Sequence, residues 1–459
     1  MHNPERARPS LLSTRTFAAS AARSLGALLA ARTLATRAVA PTLGAAIVAP
    51  PFVAALAALL LATPLAAQEA PPTPVRLTVS GYAQFQFNTT SVDEGDVAGT
   101  GRIASSLFET RRVRLFADVA IGDWLTGRIQ PEYAMGQFSL ADVFMNLAVD
   151  PRFQLRIGQF KRPFNRFYLH GSTQILTIER GIRVRGYERT FGPRFGTAAS
   201  PYTAVDGKPI HGEEHAILNA MGMVGRDIGV AAHGRLGRAG YEVALFNGDG
   251  PDTPDGNDGK SVMARLTYAP LQDAPLTLGA AASYRESYFD GTIDDEPHPT
   301  GDLSGTALSI DIEWGRFRGS GLHLLAGIAT GDNLFTDARI FGAQGMAAYL
   351  RPLGGARVEA IEFVGRASYG DPATDRADDH GLLLTPGVNL YFSGMNRVML
   401  NWDVYIPGDS RLATAHAFRI QSQIHFGVSV PPPPATTAAL STVAPAPGRA
   451  SASSRRVAP

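Results

Sequence analysis

The chain has 459 residues, 42 Lys and Arg against 41 Asp and Glu, and no cysteine. That length admits two or three soluble domains or one large closed barrel. The lack of cysteine excludes disulfide staples and thiolate chemistry, and beyond about residue 70 no apolar run reaches the roughly 18–20 residues of a transmembrane helix.

Residues 1–67 read as an export signal. Arg32 and Arg37 precede the apolar run 43–61, and Thr63-Pro64-Leu65-Ala66-Ala67 before Gln68 has the small residues of a cleavage site. Removing its six arginines and one acid leaves 36 basic and 40 acidic side chains, a net charge of −4. Nucleic-acid binding is therefore not indicated, and any anion preference has to come from local placement.

Residues 68–74 form a short periplasmic lead-in, and from Val75 the polarity alternates. Val75, Leu77, Val79, Gly81, Ala83, Phe85 and Phe87 interleave with Arg76, Thr78, Ser80, Tyr82, Gln84, Gln86 and Asn88. Such a strand is either half buried in a soluble sandwich or placed between lipid and water. The same pattern predicts strands at 75–88, 109–121, 124–134, 138–148, 153–161, 226–235, 240–247, 260–269, 275–286, 304–314, 321–330, 340–350, 358–369, 381–392, 397–405 and 416–426. Most run to about 9–13 residues, enough to cross a bilayer at a tilt near 45°.

The connections alternate in kind. Short turns at 122–123, 150–152, 236–239, 270–274, 315–320, 351–357 and 393–396 alternate with polar connections at 89–108, 162–225, 248–259, 287–303, 331–338, 370–379 and 406–415. On that second side only 135–137 is short. Short periplasmic turns and long external loops are the asymmetry of outer-membrane barrels, and an even strand count puts both termini in the periplasm.

On the lipid-facing parity, Phe153, Tyr241, Tyr268, Trp314, Tyr349, Phe392 and Phe426 sit at the turn ends. Phe87, Tyr133, Tyr284, Tyr369 and Phe418 sit at the loop ends. A soluble sandwich would concentrate its aromatics mid-strand, whereas two girdles match the two membrane interfaces. The expected fold is all-β: a transmembrane antiparallel barrel of about 16 strands over 75–430. The Pro- and Ala-rich segment 431–459 cannot build a core and reads as a disordered periplasmic tail.

The inward parity is polar and charged, with Arg112, Arg114, Asp142, Arg156, Asp311, Arg366, Asn389 and Arg419 among its members. A barrel of this size leaves an aqueous channel that such side chains can line. The longest connection, 162–225, carries Arg162, Arg166, Arg180, Arg183, Arg185, Arg189 and Arg194. Folded inwards, these guanidiniums make a positive constriction whose planar forks suit phosphate or carboxylate. Standing in solvent, they form scattered salt bridges to Glu179, Glu188, Glu213 and Glu214. Both readings stay open.

Four segments in order carry a resemblance. They are Phe108-Glu109-Thr110-Arg111-Arg112-Val113-Arg114-Leu115, Leu140-Ala141-Asp142-Val143-Phe144, Arg156-Ile157-Gly158-Gln159-Phe160-Lys161-Arg162-Pro163-Phe164, and Leu245-Phe246-Asn247-Gly248-Asp249-Gly250 with Ala264-Arg265-Leu266 downstream. Over about residues 78–426 the chain resembles the phosphate-selective porin O and P family. The resemblance implies trimeric sixteen-stranded channels in which lumen arginines and an inward-folded third external loop select anions. It also implies that the family's Arg pair and acid correspond to Arg111, Arg112 and Asp142. The dense arginine ladder of phosphate-selective members is not matched position by position, and the terminal aromatic is Phe426 with a tail beyond it.

Two motifs compete. His211-Gly212-Glu213-Glu214-His215 has the H-x-x-E-H zinc spacing but lacks a third ligand and a catalytic domain. Asp252-Thr253-Pro254-Asp255-Gly256-Asn257-Asp258 resembles a Ca²⁺ loop in composition, not in spacing. No catalytic residue, metal ligand or cofactor is expected. The expected constriction comprises Arg111, Arg112, Arg114, Asp142, Arg183, Arg185 and Arg189. Its expected partners are small anions, outer-membrane lipid and two further copies in a homotrimer, in the outer membrane of a Gram-negative-type bacterium. The alternative is a non-transporting outer-membrane barrel with a structural, adhesive or enzymatic role.

Overall fold

The computed structural model describes residues 73–93, 102–134, 136–181, 214–289, 292–293, 296–297, 301–334, 338–377, 379–408, 410 and 414–430. The predicted signal 1–67, most of the lead-in 68–74, the tail 431–459 and the loop arginines Arg183, Arg185 and Arg189 lie outside the described residues.

The first strands are β1 (Val75–Asp93), β2 (Arg102–Ile121), β3 (Leu125–Ala134), β4 (Gln137–Asp150) and β5 (Phe153–Lys161). Four more follow: β6 (Arg226–Leu236), β7 (Ala239–Phe246), β8 (Ser261–Tyr268) and β9 (Leu276–Phe289). A two-stranded outlier, β10 (Thr292–Ile293) and β11 (Glu296–Pro297), precedes β12 (Gly301–Trp314), β13 (Gly321–Asp332) and β14 (Arg339–Pro352). The chain continues through β15 (Ala360–Asp371), β16 (Gly381–Tyr391), β17 (Arg397–Pro407) and β18 (Ala415–Val430). All except β10 and β11 form one closed antiparallel barrel of neighbours in sequence, sealed by β1 against β18.

The sequence reading places every barrel strand but misplaces some ends. The expected loop 89–108 is mostly strand, because β1 and β2 remain paired out to Asp93↔Arg102. In the same way β9 and β12 stay paired out to Phe289↔Gly301.

Burial along the strands is inverted relative to a soluble protein. On β12, Ile310 and Ile312 are 55% and 45% exposed while Asp311 and Glu313 are 7% and 6% exposed. An apolar outside around a polar inside matches lipid outside and water within. Phe153, Tyr268, Trp314, Tyr349 and Phe426 are exposed at the turn ends of their strands. Tyr133, Tyr284 and Phe418 are exposed at the loop ends.

At the seam, Phe426 stands opposite Gly81. A Cβ at Gly81 would lie 2.7 Å from the Phe426 ring, so only glycine lets that aromatic lie flat there. Inside the seam, amides bridge the two strands: Gln84 Nε2 donates to Gln423 Oε1 at 2.8 Å, and Gln86 Nε2 to Gln421 Oε1 at 2.7 Å. A chain stopped at residue 414 lacks β18 and leaves β1 and β17 with unpaired backbone groups in lipid, each costing several kcal/mol. It is expected not to insert, and to show no heat-modifiable band on SDS gels. A folded band from that chain would contradict the closure argument.

Candidate functional site

Behind β5 the chain turns into the barrel. Asn165 caps the short helix α1 (Arg166–Leu169), its side chain accepting from Tyr168 N. Lys161 Nζ then donates to the carbonyls of Tyr168, Leu169 and His170, at 2.8, 3.2 and 2.8 Å, and so holds the C-terminal end of α1. The following arm is tied to inward side chains of distant strands. Arg397 Nη2 donates to Thr173 O and Ile175 O, Asn389 Nδ2 to Leu176 O, and Asn401 Oδ1 accepts from Ile178 N.

The returning arm, α2 (Glu214–Ala220) and residues 221–225, is apolar on its wall side. Phe164, Ile217, Leu218, Met221, Met223 and Val224 form a core with Ala281, Ala307, Ala329 and Ile340 of the wall. Sequence parity alone gives no role to those three alanines. The signal for them was present: small apolar residues at inward positions of β9, β12 and β13 leave room for packing rather than for water. Gly222, at φ +60, completes the return, because a Cβ there would meet the Arg285 guanidinium at 2.3 Å.

Two β-bulges shape the wall on the side of β2–β4. Gln84 pairs with Arg112 and Phe85 with Thr110, so Arg111 is the extra residue of β2. Neighbouring residues of a regular strand face opposite sides, and the bulge lets Arg111 and Arg112 both turn inwards. Both bind Glu179: Arg111 Nε lies 2.6 Å from Oε1, and Arg112 Nη2 lies 3.1 Å from Oε2. Gln86 Nε2 adds a bond of 3.0 Å. The second irregularity, between Ile129 and Pro131 of β3, faces the start of β4. There Asp142 receives Arg226 Nε at 2.5 Å. Arg114 pairs with Glu132. The four described members of the expected constriction thus face the lumen, each beside an opposite charge. Glu214 and His215 of the zinc-like spacing are otherwise engaged: Asn165 Nδ2 donates to Glu214 at 2.7 Å, and His215 stacks on Tyr168 at 5.5 Å.

Residues 79–302 match the family model described as phosphate-selective porin O and P. Over that stretch the chain is similar to the phosphate-selective porin O and P family. Among solved structures, an anion-selective porin from Comamonas acidovorans is 14% identical, over 77% of this chain and 100% of its own, with a TM-score of 0.50. OprB of Pseudomonas putida aligns at 9% identity over 77% and 94% of the two chains, TM-score 0.49. The outer membrane channel DcaP of Acinetobacter baumannii aligns at 11% over 77% and 97%, TM-score 0.46. At these identities the likeness is one of fold. No curated protein sequence matches the chain. Barrel and family together make this porin a channel of the Gram-negative outer membrane, and they point to passage rather than to enzymatic turnover.

Within the porin's lumen the charges do not cancel around Glu179. Burial works against its carboxylate, but Arg111 and Arg112 outweigh that and hold its pKa well below the usual range. Next to it, Arg180 donates to the His170 carbonyl at 2.7 Å and lies 4.9 Å over the Tyr168 ring. Burial draws Arg180 down to about 10, which leaves it charged at neutral pH. Arg111 and Arg112 thus bind the Glu179 carboxylate, and the Arg180 guanidinium lies near enough to feel its charge. On the other side of α1, Glu313 collects Arg166 Nε at 2.7 Å, His323 Nε2 at 3.0 Å and His170 Nε2 at 3.2 Å, anchoring the arm to β12 and β13.

Replacing Glu179→Gln leaves Arg111 and Arg112 buried without their carboxylate, at a cost of about 3 kcal/mol. It also makes the lumen more positive. The expected outcome is a lower melting temperature together with a reversal potential shifted towards anions. A shift towards cations would refute the charge assignment.

The loop's packing is also expected to depend on pH. Enclosure pulls the His215 imidazole down to about 3, with Arg180 and Arg366 adding to the effect. Between its ordinary pKa near 6.5 and that value the released loop binds the extra proton, so packing weakens as pH falls through this window. At pH 5 the loss is about 2 kcal/mol. Hydrogen exchange over 214–225 should speed up from pH 8 to pH 5, after correction for intrinsic rates, and His215→Gln should flatten that trend.

Proposed function

We propose that this porin is a passive aqueous channel biased towards anions, with phosphate or a similar oxyanion as its solute class. The observation carrying this reading is the cluster of Arg111, Arg112 and Arg180 near the single carboxylate of Glu179. Guanidinium forks partly replace an oxyanion's hydration shell, yet in a water-filled lumen they hold it weakly enough for release. The phosphate selectivity for which the family is named and the anion selectivity of the Comamonas porin support the same direction.

In this reading Arg111, Arg112, Arg114 and Asp142 line the constriction, and Arg183, Arg185 and Arg189 of the third external loop complete it. Glu132 and Arg226 hold Arg114 and Asp142 in place. The functional unit is a homotrimer, delivered by cleavage of residues 1–67, with 431–459 as a periplasmic tail. Planar-bilayer recordings test the reading. Changing Arg183, Arg185 and Arg189 to Glu should move the reversal potential towards cations and weaken phosphate block of chloride current. Asp375→Arg, at an exposed position of the seventh loop, should do much less, since bulk charges beyond the roughly 8–10 Å Debye length are screened. Equal small effects from both changes would remove the anion-channel reading's support from the loop.

A further inference from the structure

Inward-facing side chains are not equally wet around the barrel. On β15–β18 and β1, Glu362, Asn389, Arg397, Asn401, Arg419 and Gln84 are all 2% exposed or less. Towards the turn ends of β2, β3, β5 and β7 two ion pairs reach water: the Arg128 and Asp118 side chains are each 34% exposed, and Arg156 and Glu242 are 22% and 24% exposed. Depth in the membrane does not explain the contrast. Arg397 and Glu362 lie within the first three residues at the turn ends of β17 and β15. Arg156 and Glu242 lie fourth from the turn ends of β5 and β7. What differs is the cover, because the carbonyls of Thr173, Ile175 and Leu176 sit over Arg397 and Asn389. The descending arm of the third loop occupies one arc of the lumen and leaves the opposite arc to solvent.

The two wet ion pairs on that arc are not equivalent. Arg128 grips Asp118 through Nε and Nη2, at 2.6 and 3.1 Å, a fork that neutralises both partners. Arg156 reaches Glu242 with Nη1 alone, at 3.0 Å. Its guanidinium is held over Phe144 and Phe160, at 5.3 and 5.2 Å from the ring centres. Nη2 has only a 3.5 Å approach to His233 Nε2. Its donor capacity is thus partly unspent where water enters.

Resting on the anion-channel reading, we propose that ions cross the periplasmic half of the barrel along the β2–β7 wall, and that Arg156 is the specificity-determining residue of that route. A passing anion accepts for a moment from a guanidinium N–H that Glu242 does not take, and no covalent step is involved.

The chain has no cysteine, so single cysteines report the route directly. Thr126→Cys and Gln154→Cys on the wet arc, and Thr385→Cys and Gln421→Cys on the covered arc, are exposed to a negatively charged methanethiosulfonate in planar bilayers. A fixed anion in the path should cut chloride current about twofold or more at the first two positions and leave the other two unchanged. Equal block on both arcs, or block on the covered arc alone, overturns the route. Arg156→Gln should lower the chloride-to-potassium permeability ratio about twofold or more, while Arg156→Lys retains it. An unchanged ratio in Arg156→Gln, with folding verified by heat modifiability, overturns the role of Arg156. If the unsubstituted channel shows no anion preference, the proposed function fails together with the Arg156 role. The cysteine block still decides the route.

Discussion

Every backbone donor and acceptor of a chain in hydrocarbon has to find its partner within the protein, and this fold answers that requirement by closure. Each barrel strand is hydrogen-bonded on both edges, and the one pairing that joins distant parts of the chain is β1 with β18. Gly81 and Phe426, with the glutamine ladders behind them, make that pairing compatible with an aromatic at the membrane boundary. Once closure is imposed, side chains divide into lipid-facing and lumen-facing sets. The lumen then becomes the only place where charged residues can gather.

A lumen of sixteen strands is too wide to be filled by its own wall, and here the third loop fills part of it. Its arms behave as a small buried domain. They have an apolar core against Ala281, Ala307 and Ala329, and buried ion pairs tie them to the wall, as in Arg112 with Glu179 and Arg162 with Asp227. Such pairs contribute little net stability but make the loss of either partner expensive. They therefore fix where the arm lies more than they strengthen it.

Alternating polarity was enough to reveal the strands, the direction of Leu77 or Asp311, and the two girdles, because period-two patterning maps directly onto two solvents. The arginines were visible as a group, but their arrangement was not. Arg111 and Arg112 should face opposite ways in a regular strand, and only the bulge at Arg111 turns both to Glu179. A bulge adds one residue without altering composition, so a parity count passes over it. Glu179 reads in sequence as one acid among several. Its importance arises from contacts with residues 68 and 67 positions away. Long-range partners of this kind leave no local periodicity to detect.

The arm's hydrogen bonds also set an order of events. Leu176 is bound by Asn389 across 213 positions, Ile175 by Arg397 across 222, and Ile178 by Asn401 across 223. Contacts so distant in sequence reward the chain only after long loop closure. Until β16 and β17 arrive, the stretch from Thr173 to Ile178 lacks these partners, and its polar backbone must stay hydrated. That part of the lumen lining is therefore among the last to be fixed. The shape of the passage on that side is written in strands that lie more than two hundred positions away from the arm they hold.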